Sequence, residues 1–298
     1  MKPAITILNT TGVLKSISLH PILPLIVASS HHSIPAPITV SGYETMPCRL
    51  SAYLLFFLIE GDSSHNLDMS RVDLKSRQLM FVQPNQIHQF LSDWHQNERW
   101  YKIAFDEETL SLLPQSYDFL INPLNNPIVH ADQEGQERLI HTFECLVQLL
   151  AARPPQPAEL VLSYLNVLLS ELNTAYFKKN TKFQRPGESL KIFLGFKRLV
   201  EKEFTNQPAI QWLAVALSVS GNKLYSVVRQ FAGVSPKTYL LNRTMLEAQR
   251  MFFYDRPTVK QVAYELGFND PDHFSRAFKR SSGKTITQFI RSLQDLTS

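Results

Sequence analysis

The sequence predicts an α+β chain: a mostly β first domain with a helical pair, then an all-α domain with two helix-turn-helix motifs. Three observations carry this. Pro21, Pro24, Pro35, Pro37 and Pro47 forbid long helices in the first 50 residues. From Leu139 onward apolar residues recur at helical spacing. Charge divides the chain as well: residues 188–298 carry a net +7 and residues 1–187 a net −3, giving the overall +4.

A length of 298 residues fits two domains, placed here at 1–180 and 189–298 with a linker at 181–188. Hydrophobic residues make up 44% and charged residues 19%, a balance that argues against disorder. Cys48 and Cys145 form neither a CxxC spacing nor a disulfide framework, which fits a reduced cytoplasm. The apolar residues after Lys2 are interrupted by Asn9, Thr10, Thr11, Gly12 and Lys15, a poor signal peptide. The longest apolar run, Ala52 to Ile59, is far short of a membrane span.

The β elements follow in order. Ser51 to Glu60 is a strand apolar on both faces, ended by the turn signal Gly61-Asp62-Ser63. Ser64 to Leu74 reads as the return strand and the approach to the next turn. Leu79 to Val82 is a buried strand that runs into Gln83-Pro84-Asn85-Gln86-Ile87-His88. Trp100 to Phe105 is again two-sided.

Two amphipathic helices come next. Leu139, Ile140, Phe143, Leu146, Val147 and Leu150 form one stripe, broken by Arg153-Pro154-Pro155-Gln156-Pro157. Leu160, Val161, Tyr164, Leu165, Leu168, Leu169, Leu172 and Tyr176 form a second. The pair either merely covers the β elements or also makes a dimer; the second stripe is wide enough for both the β elements and a partner subunit, so a homodimer through residues 136–177 is the favoured expectation. Residues 177–187 are polar and end in Pro186-Gly187, as a linker would.

The C-terminal third holds two helix-turn-helix patterns. In the first, Ile210, Leu213, Ala214 and Leu217 face inward, Val219-Ser220 turns, and Asn222 to Phe231 is packed by Leu224, Val227, Val228 and Phe231. One long helix then runs to Phe253, with Arg243 and Arg250 as its lone basic residues, either solvated or touching phosphate. In the second motif, Val259, Val262, Ala263 and Leu266 bury one helix, and Gly267 permits the positive φ of the turn. Asp270 caps the next helix with Pro271 in its first turn, and Phe274 and Phe278 bury it. Such a unit places its second helix in the major groove.

The run Ala263-x-x-Leu266-Gly267-Phe268-Asn269-Asp270, then His273-Phe274-Ser275-Arg276-x-Phe278-Lys279-Arg280 and Gly283-Lys284-Thr285, resembles the second DNA-binding motif of the AraC/XylS family of bacterial transcription regulators. The first motif, with Gly233 to Leu240 after it, also matches the family pattern. The resemblance implies that Asn222, Tyr225, Asp272, His273 and Arg276 face bases, while Lys223, Arg229, Lys279 and Arg280 contact phosphate. Arg276 suits bidentate reading of guanine and Asn222 a short amide on adenine. Asp272 either accepts from cytosine or favours the helix N-terminus. Ser226 departs from the pattern, standing where Arg is frequent, and lacks Arg's fork for guanine.

Residues 20 to 110 bear a weaker resemblance to the cupin-like sensory domain of these regulators, which implies that the first domain is a cupin-like β-barrel. It implies a small-molecule effector held by some of Tyr53, Phe57, His88, Trp94, Trp100 and Tyr101. No metal and no cofactor is expected. Cys48 to Tyr53 lacks the paired His of catalytic cupins, His88 alone cannot ligate, and His31 and His32 on a strand would point to opposite faces. The expected function is therefore a non-enzymatic, sequence-specific regulator, an activator responsive to a small molecule. It would act in the bacterial cytoplasm, at the nucleoid when bound to promoter DNA, with RNA polymerase as partner and without a membrane. The competing expectation is a cupin-type metal-dependent enzyme with a helical appendage.

Overall fold

The structure is a computed structural model that describes residues 5–9, 12–17, 20–31, 47–68, 70–91, 98–122, 126–178, 188–254 and 257–297. The chain divides into two compact units, Met1–Gln184 and Arg185–Ser298. The expected linker and Trp94 lie largely or wholly outside the described residues.

The first unit contains two antiparallel sheets. One runs β2 (Gly12–Ile17), β1 (Ile5–Asn9), β4 (Cys48–Leu50), β9 (Ile87–Phe90), β6 (Asp62–Leu67), β7 (Ser70–Lys75). The other runs β11 (Ile128–Val129), β8 (Gln78–Val82), β5 (Tyr53–Glu60), β10 (Arg99–Phe105), β3 (Leu25–Ser29). Each sheet keeps two edge strands, so the expected barrel is instead a pair of open sheets. Closure needs one continuous hydrogen-bonded circuit, and among the described residues no ladder joins the two sheets. The single return strand expected over Ser64 to Leu74 is also corrected. It is two strands, β6 and β7, broken near Asp68 with its φ of 54°.

The two-sided strands are explained by what lies on each side. From β5, Leu54, Phe56 and Leu58 enter a core with Leu67, Val72, Leu74, Met80, Val82 and Phe90, contributed by both sheets. The alternate residues Tyr53, Leu55, Phe57 and Ile59 face a different core. There α2 (Gln133–Ala151) and α3 (Ala158–Lys178) bring Leu139, Phe143, Leu146, Leu165, Leu168, Leu172 and Tyr176 against the five-stranded sheet. Phe143 stacks on Tyr101 at 5.1 Å and on Phe57 at 5.9 Å between ring centroids. A central strand covered by a sheet on one face and helices on the other has no solvent side, which is why its period-2 signal vanishes. A short α1 (Glu107–Ser111), capped by the Asp106 side chain, leads from β10 toward the helices.

The second unit is all helix: α4 (Glu188–Glu203), α5 (Ile210–Ala216), α6 (Gly221–Ala232), α7 (Pro236–Tyr254), α8 (Val259–Glu265), α9 (Pro271–Ser282) and α10 (Ile286–Thr297). Sequence reading missed α4 and α10. Phe193 and Phe196 of α4 are fully buried, stacking on Phe231 and meeting Tyr239 edge-on. Met245, Ala248 and Phe252 of α7 join Val262, Ala263, Leu266, Phe274, Phe278, Ile286 and Phe289 in one core, so α7 and α10 support the second motif.

Candidate nucleic-acid interface

Each motif fixes its outer helix by the same three devices. Ser220 accepts from the Lys223 amide at 3.2 Å, and Asp270 accepts from the amides of Asp272 (2.9 Å) and His273 (3.1 Å). These caps satisfy donors that a helix start leaves open. Both helices are 12 residues long. Both end on a left-handed glycine, Gly233 at φ 72° and Gly283 at φ 74°. The inward faces are Leu224, Val227 and Val228 in α6, and Phe274, Ala277 and Phe278 in α9.

With caps and cores fixed, the remaining side chains must point outward. Asn222, Lys223, Tyr225, Ser226 and Arg229 of α6 are all exposed, as are Asp272, His273, Arg276, Lys279 and Arg280 of α9. The structure thus brings the ten DNA-facing candidates onto two outer helix faces. Arg276 has its Nη2 3.8 Å from Asp270 Oδ2, with both groups more than half exposed, so solvent screens the pair. His273 lies edge-on to Phe268, 5.7 Å between centroids. Ser275 turns back, its hydroxyl donating to the Pro271 carbonyl at 2.9 Å.

Not all of the unit's basic charge faces solvent. Arg243 and Arg250 are neither solvated nor free for phosphate, correcting the expectation. Arg243 donates to Glu201 at 2.8 Å and to Glu247 at 3.1 Å, and its guanidinium lies 4.1 Å from the Phe204 ring centroid. Arg250 is buried and donates to Glu247 at 3.2 Å. Lys197 is buried too, and desolvation lowers its pKa to about 8. Arg243 and Lys197 tie α4 to α7 inside the fold, and a count of cations from the sequence cannot separate such side chains from surface ones.

In the first unit the effector candidates do not converge. Tyr53, Phe57 and Tyr101 belong to the core shared with the helices. Trp100 packs on the opposite, inter-sheet side beside Phe56. His88 is the remaining effector candidate among the described residues. It is buried between the sheets, its Nε2 3.1 Å from Nδ1 of His65. His31 follows β3 with its Nε2 3.1 Å from the Tyr101 hydroxyl, and His32 lies outside the described residues. A surface recess of about 420 Å³ sits over β6 and β7, lined by Asp62, Ser63, Ser64, Arg71, Asp73, Leu74 and Lys75, and includes none of the candidates. Among the described residues no three His, Cys, Asp or Glu side chains are grouped as a metal site.

Sequence reading missed His65 and Lys102. His65 is fully buried and its Nε2 meets no hydrogen-bond partner among the described residues. Desolvation by burial, then the charge of Lys102, lowers its pKa to about 3. The same desolvation, with His65 and Lys102 beside it, puts His88 well below its ordinary value. Lys102 is buried with its Nζ 4.2 Å from the Phe90 ring centroid and 4.4 Å from that of Trp100. Alternation along β6 was the available signal, since Ser63, His65 and Leu67 share a face.

Two capped outer helices with polar and basic faces, each on its own apolar support, define a DNA-binding transcription regulator of the helix-turn-helix class. The profile of a family described as "Helix-turn-helix domain" matches residues 213–292. The chain is 21% identical over 262 residues to the Msm operon regulatory protein of Streptococcus mutans, covering 85% of this chain and 89% of that one. It is 25% identical over 182 residues to the HTH-type transcriptional activator RhaS of Escherichia coli, covering 56% of this chain and 62% of RhaS, less than two thirds of that relative's length. The solved structure of ToxT from Vibrio cholerae is similar with a TM-score of 0.42 and 16% identity, covering 80% of this chain and 90% of that one. Residues 213–292 thus carry the helix-turn-helix domain of that description, and the chain is similar to transcription regulators. No helix of the described residues is long and apolar enough to cross a membrane.

Proposed function

We propose that this protein activates transcription from a promoter by laying α6 and α9 in successive major-groove segments, about 34 Å apart. The observation that carries the reading is the exposure of all ten candidate side chains on two independently capped helices. Arg276 reads guanine by its two-pronged fork, and Asn222, Tyr225, Ser226, Asp272 and His273 complete the base-facing set. Lys223, Arg229, Lys279 and Arg280 anchor to phosphate.

The proposal divides the chain into a sensory and dimerising domain (1–180), a linker (181–188) and a DNA-binding domain (189–298). Leu160 and Val167 remain exposed on α3, in support of pairing through residues 136–177. The buried His65, His88 and Lys102 beside Trp100 supply polar groups for a small-molecule effector inside the first unit. RNA polymerase is the further partner, the cell compartment is the bacterial cytoplasm, and the chain performs no catalysis.

The test is a gel-shift titration of the upstream promoter region with the full chain and with a fragment from residue 188 onward, each with and without candidate metabolites. The expected result is weak half-site binding by the fragment and tighter, metabolite-dependent binding by the full chain. A folded fragment that binds no DNA at low salt would overturn the reading.

A further inference from the structure

The two outer helices are equivalent residue by residue, yet their reading faces differ in chemistry. Each position of α6 has its counterpart fifty residues on, as Ser220 has Asp270 at the cap and Gly233 has Gly283 at the end. Leu224 matches Phe274 and Val228 matches Phe278 on the buried side, which locks the rotation of both helices in the same way. The outward pairs are then Asn222 with Asp272, Lys223 with His273, Tyr225 with Ser275 and Ser226 with Arg276.

At two of these positions the difference is large. Arg276 presents an exposed guanidinium, and Ser226 presents a hydroxyl one carbon from the backbone. Ser275 folds its hydroxyl back onto the Pro271 carbonyl, whereas Tyr225 leaves 45% of its surface exposed. The α6 face therefore carries a short amide, an aromatic ring and a small hydroxyl, with Arg229 matching the phosphate-assigned Lys279 and Lys223 assigned to phosphate where its counterpart His273 faces bases. In the major groove, guanine offers two acceptors that suit a cationic fork, adenine an acceptor and a donor that suit an amide, and thymine a methyl that suits an apolar surface.

We infer that the first motif reads A·T pairs, with Asn222 on adenine and the Tyr225 ring on a thymine methyl, so that the operator is bipartite. One half is A·T-determined under α6 and the other is guanine-determined under α9. The inference rests on the DNA-reading role proposed above, and the experiment keeps the two separable. Tyr225 is a specificity-determining residue here, and Ser226 is the position that keeps guanine out of the first half.

The experiment is selection of binding sites from a randomised duplex library by the full chain and by the single variants Ser226→Arg, Tyr225→Ala and Arg276→Ala. The wild type is expected to enrich two half-sites one helical turn apart, one rich in A·T and one holding an invariant guanine. Ser226→Arg should acquire a guanine in the A·T half and leave the other half unchanged. Replacing thymidine by deoxyuridine in the A·T half removes the C5 methyl and should weaken wild-type binding about fivefold, with no effect on Tyr225→Ala. Matching guanines in both wild-type halves, or a Ser226→Arg site identical to the wild-type one, would overturn the inference and leave the DNA-reading role standing. An Arg276→Ala site that still holds its guanine would instead overturn the role assigned to Arg276. Enrichment of nothing by any of the proteins would remove both.

Discussion

The two helix-turn-helix motifs are alike in their outer helices and unlike in their turns. In the second, Gly267 adopts a φ of 78°, and a Cβ there would lie 2.2 Å from the Thr205 carbonyl oxygen. In the first, the counterpart is Ser218, a non-glycine at a φ of 56°, exposed to solvent. The same left-handed turn is thus required by close packing in one motif and tolerated at some strain in the other. The cores differ in the same sense. Phe274 and Phe278 fill the second motif where Leu224 and Val228 fill the first. A shared backbone shape therefore does not imply shared energetics: the second motif is bound to its neighbours by bulk and close approach, the first by smaller side chains.

The largest expected consequence is in the cores. Phe278→Ala removes a fully buried ring and should cost about 3–5 kcal/mol of unfolding free energy, while Val228→Ala should cost only about 2 kcal/mol. Denaturant unfolding of the full chain, followed by helix signal, compares them, and equal losses would contradict the asymmetry. Next is the turn itself. Gly267→Ala should destabilise by about 3 kcal/mol through both the clash and the strained φ. Ser218→Gly should be neutral or slightly stabilising, because it relieves a left-handed side chain. A destabilising Ser218→Gly would mean that the serine does more than occupy the turn.

The first unit is set apart from both motifs by pH. A histidine with a folded pKa below its unfolded value adds stability that is complete above the unfolded value of about 6.5 and is lost as pH falls toward the folded one. For His65 that window runs from about 6.5 down to about 3, and His88 adds in the same direction. Lowering pH from 7 to 5 should therefore destabilise the first unit by about 2 kcal/mol from His65. His65→Phe should flatten this dependence in thermal melts at a series of pH values, and an unchanged slope would count against the buried neutral pair.

The smallest effects lie on the DNA faces. Arg276→Ala should cost about 1–3 kcal/mol and relax preference at one base pair, whereas Lys279→Ala should weaken all sequences alike and lower the salt slope by about one. Binding titrations on specific and random duplexes at several salt concentrations separate the two. If Arg276→Ala weakened both duplexes equally, its assignment to a base would be wrong.

The sequence alone determined the elements whose signals are local. Gly267, Asp270 and Pro271 mark a turn and a cap by backbone chemistry, and Phe274 and Phe278 mark the buried side by spacing, so the outward faces of α6 and α9 follow with little ambiguity. The strands of the first unit were legible as strands because Ser51 to Glu60 and Trp100 to Phe105 are short runs apolar on both faces, the first ended by the turn signal Gly61-Asp62-Ser63. Tertiary structure decided what those sides touch. Only pairing partners distinguish a closed barrel from two open sheets, and only three-dimensional neighbours put Tyr53, Phe57 and Tyr101 against helices and Trp100 between sheets. The same holds for charge. Arg243 reads as solvated or touching phosphate until Glu201 of α4 and the Phe204 ring are brought around it. Periodicity fixes which way a side chain points along its own helix or strand, but burial and ion pairing depend on residues distant in the chain, whose approach no local pattern encodes.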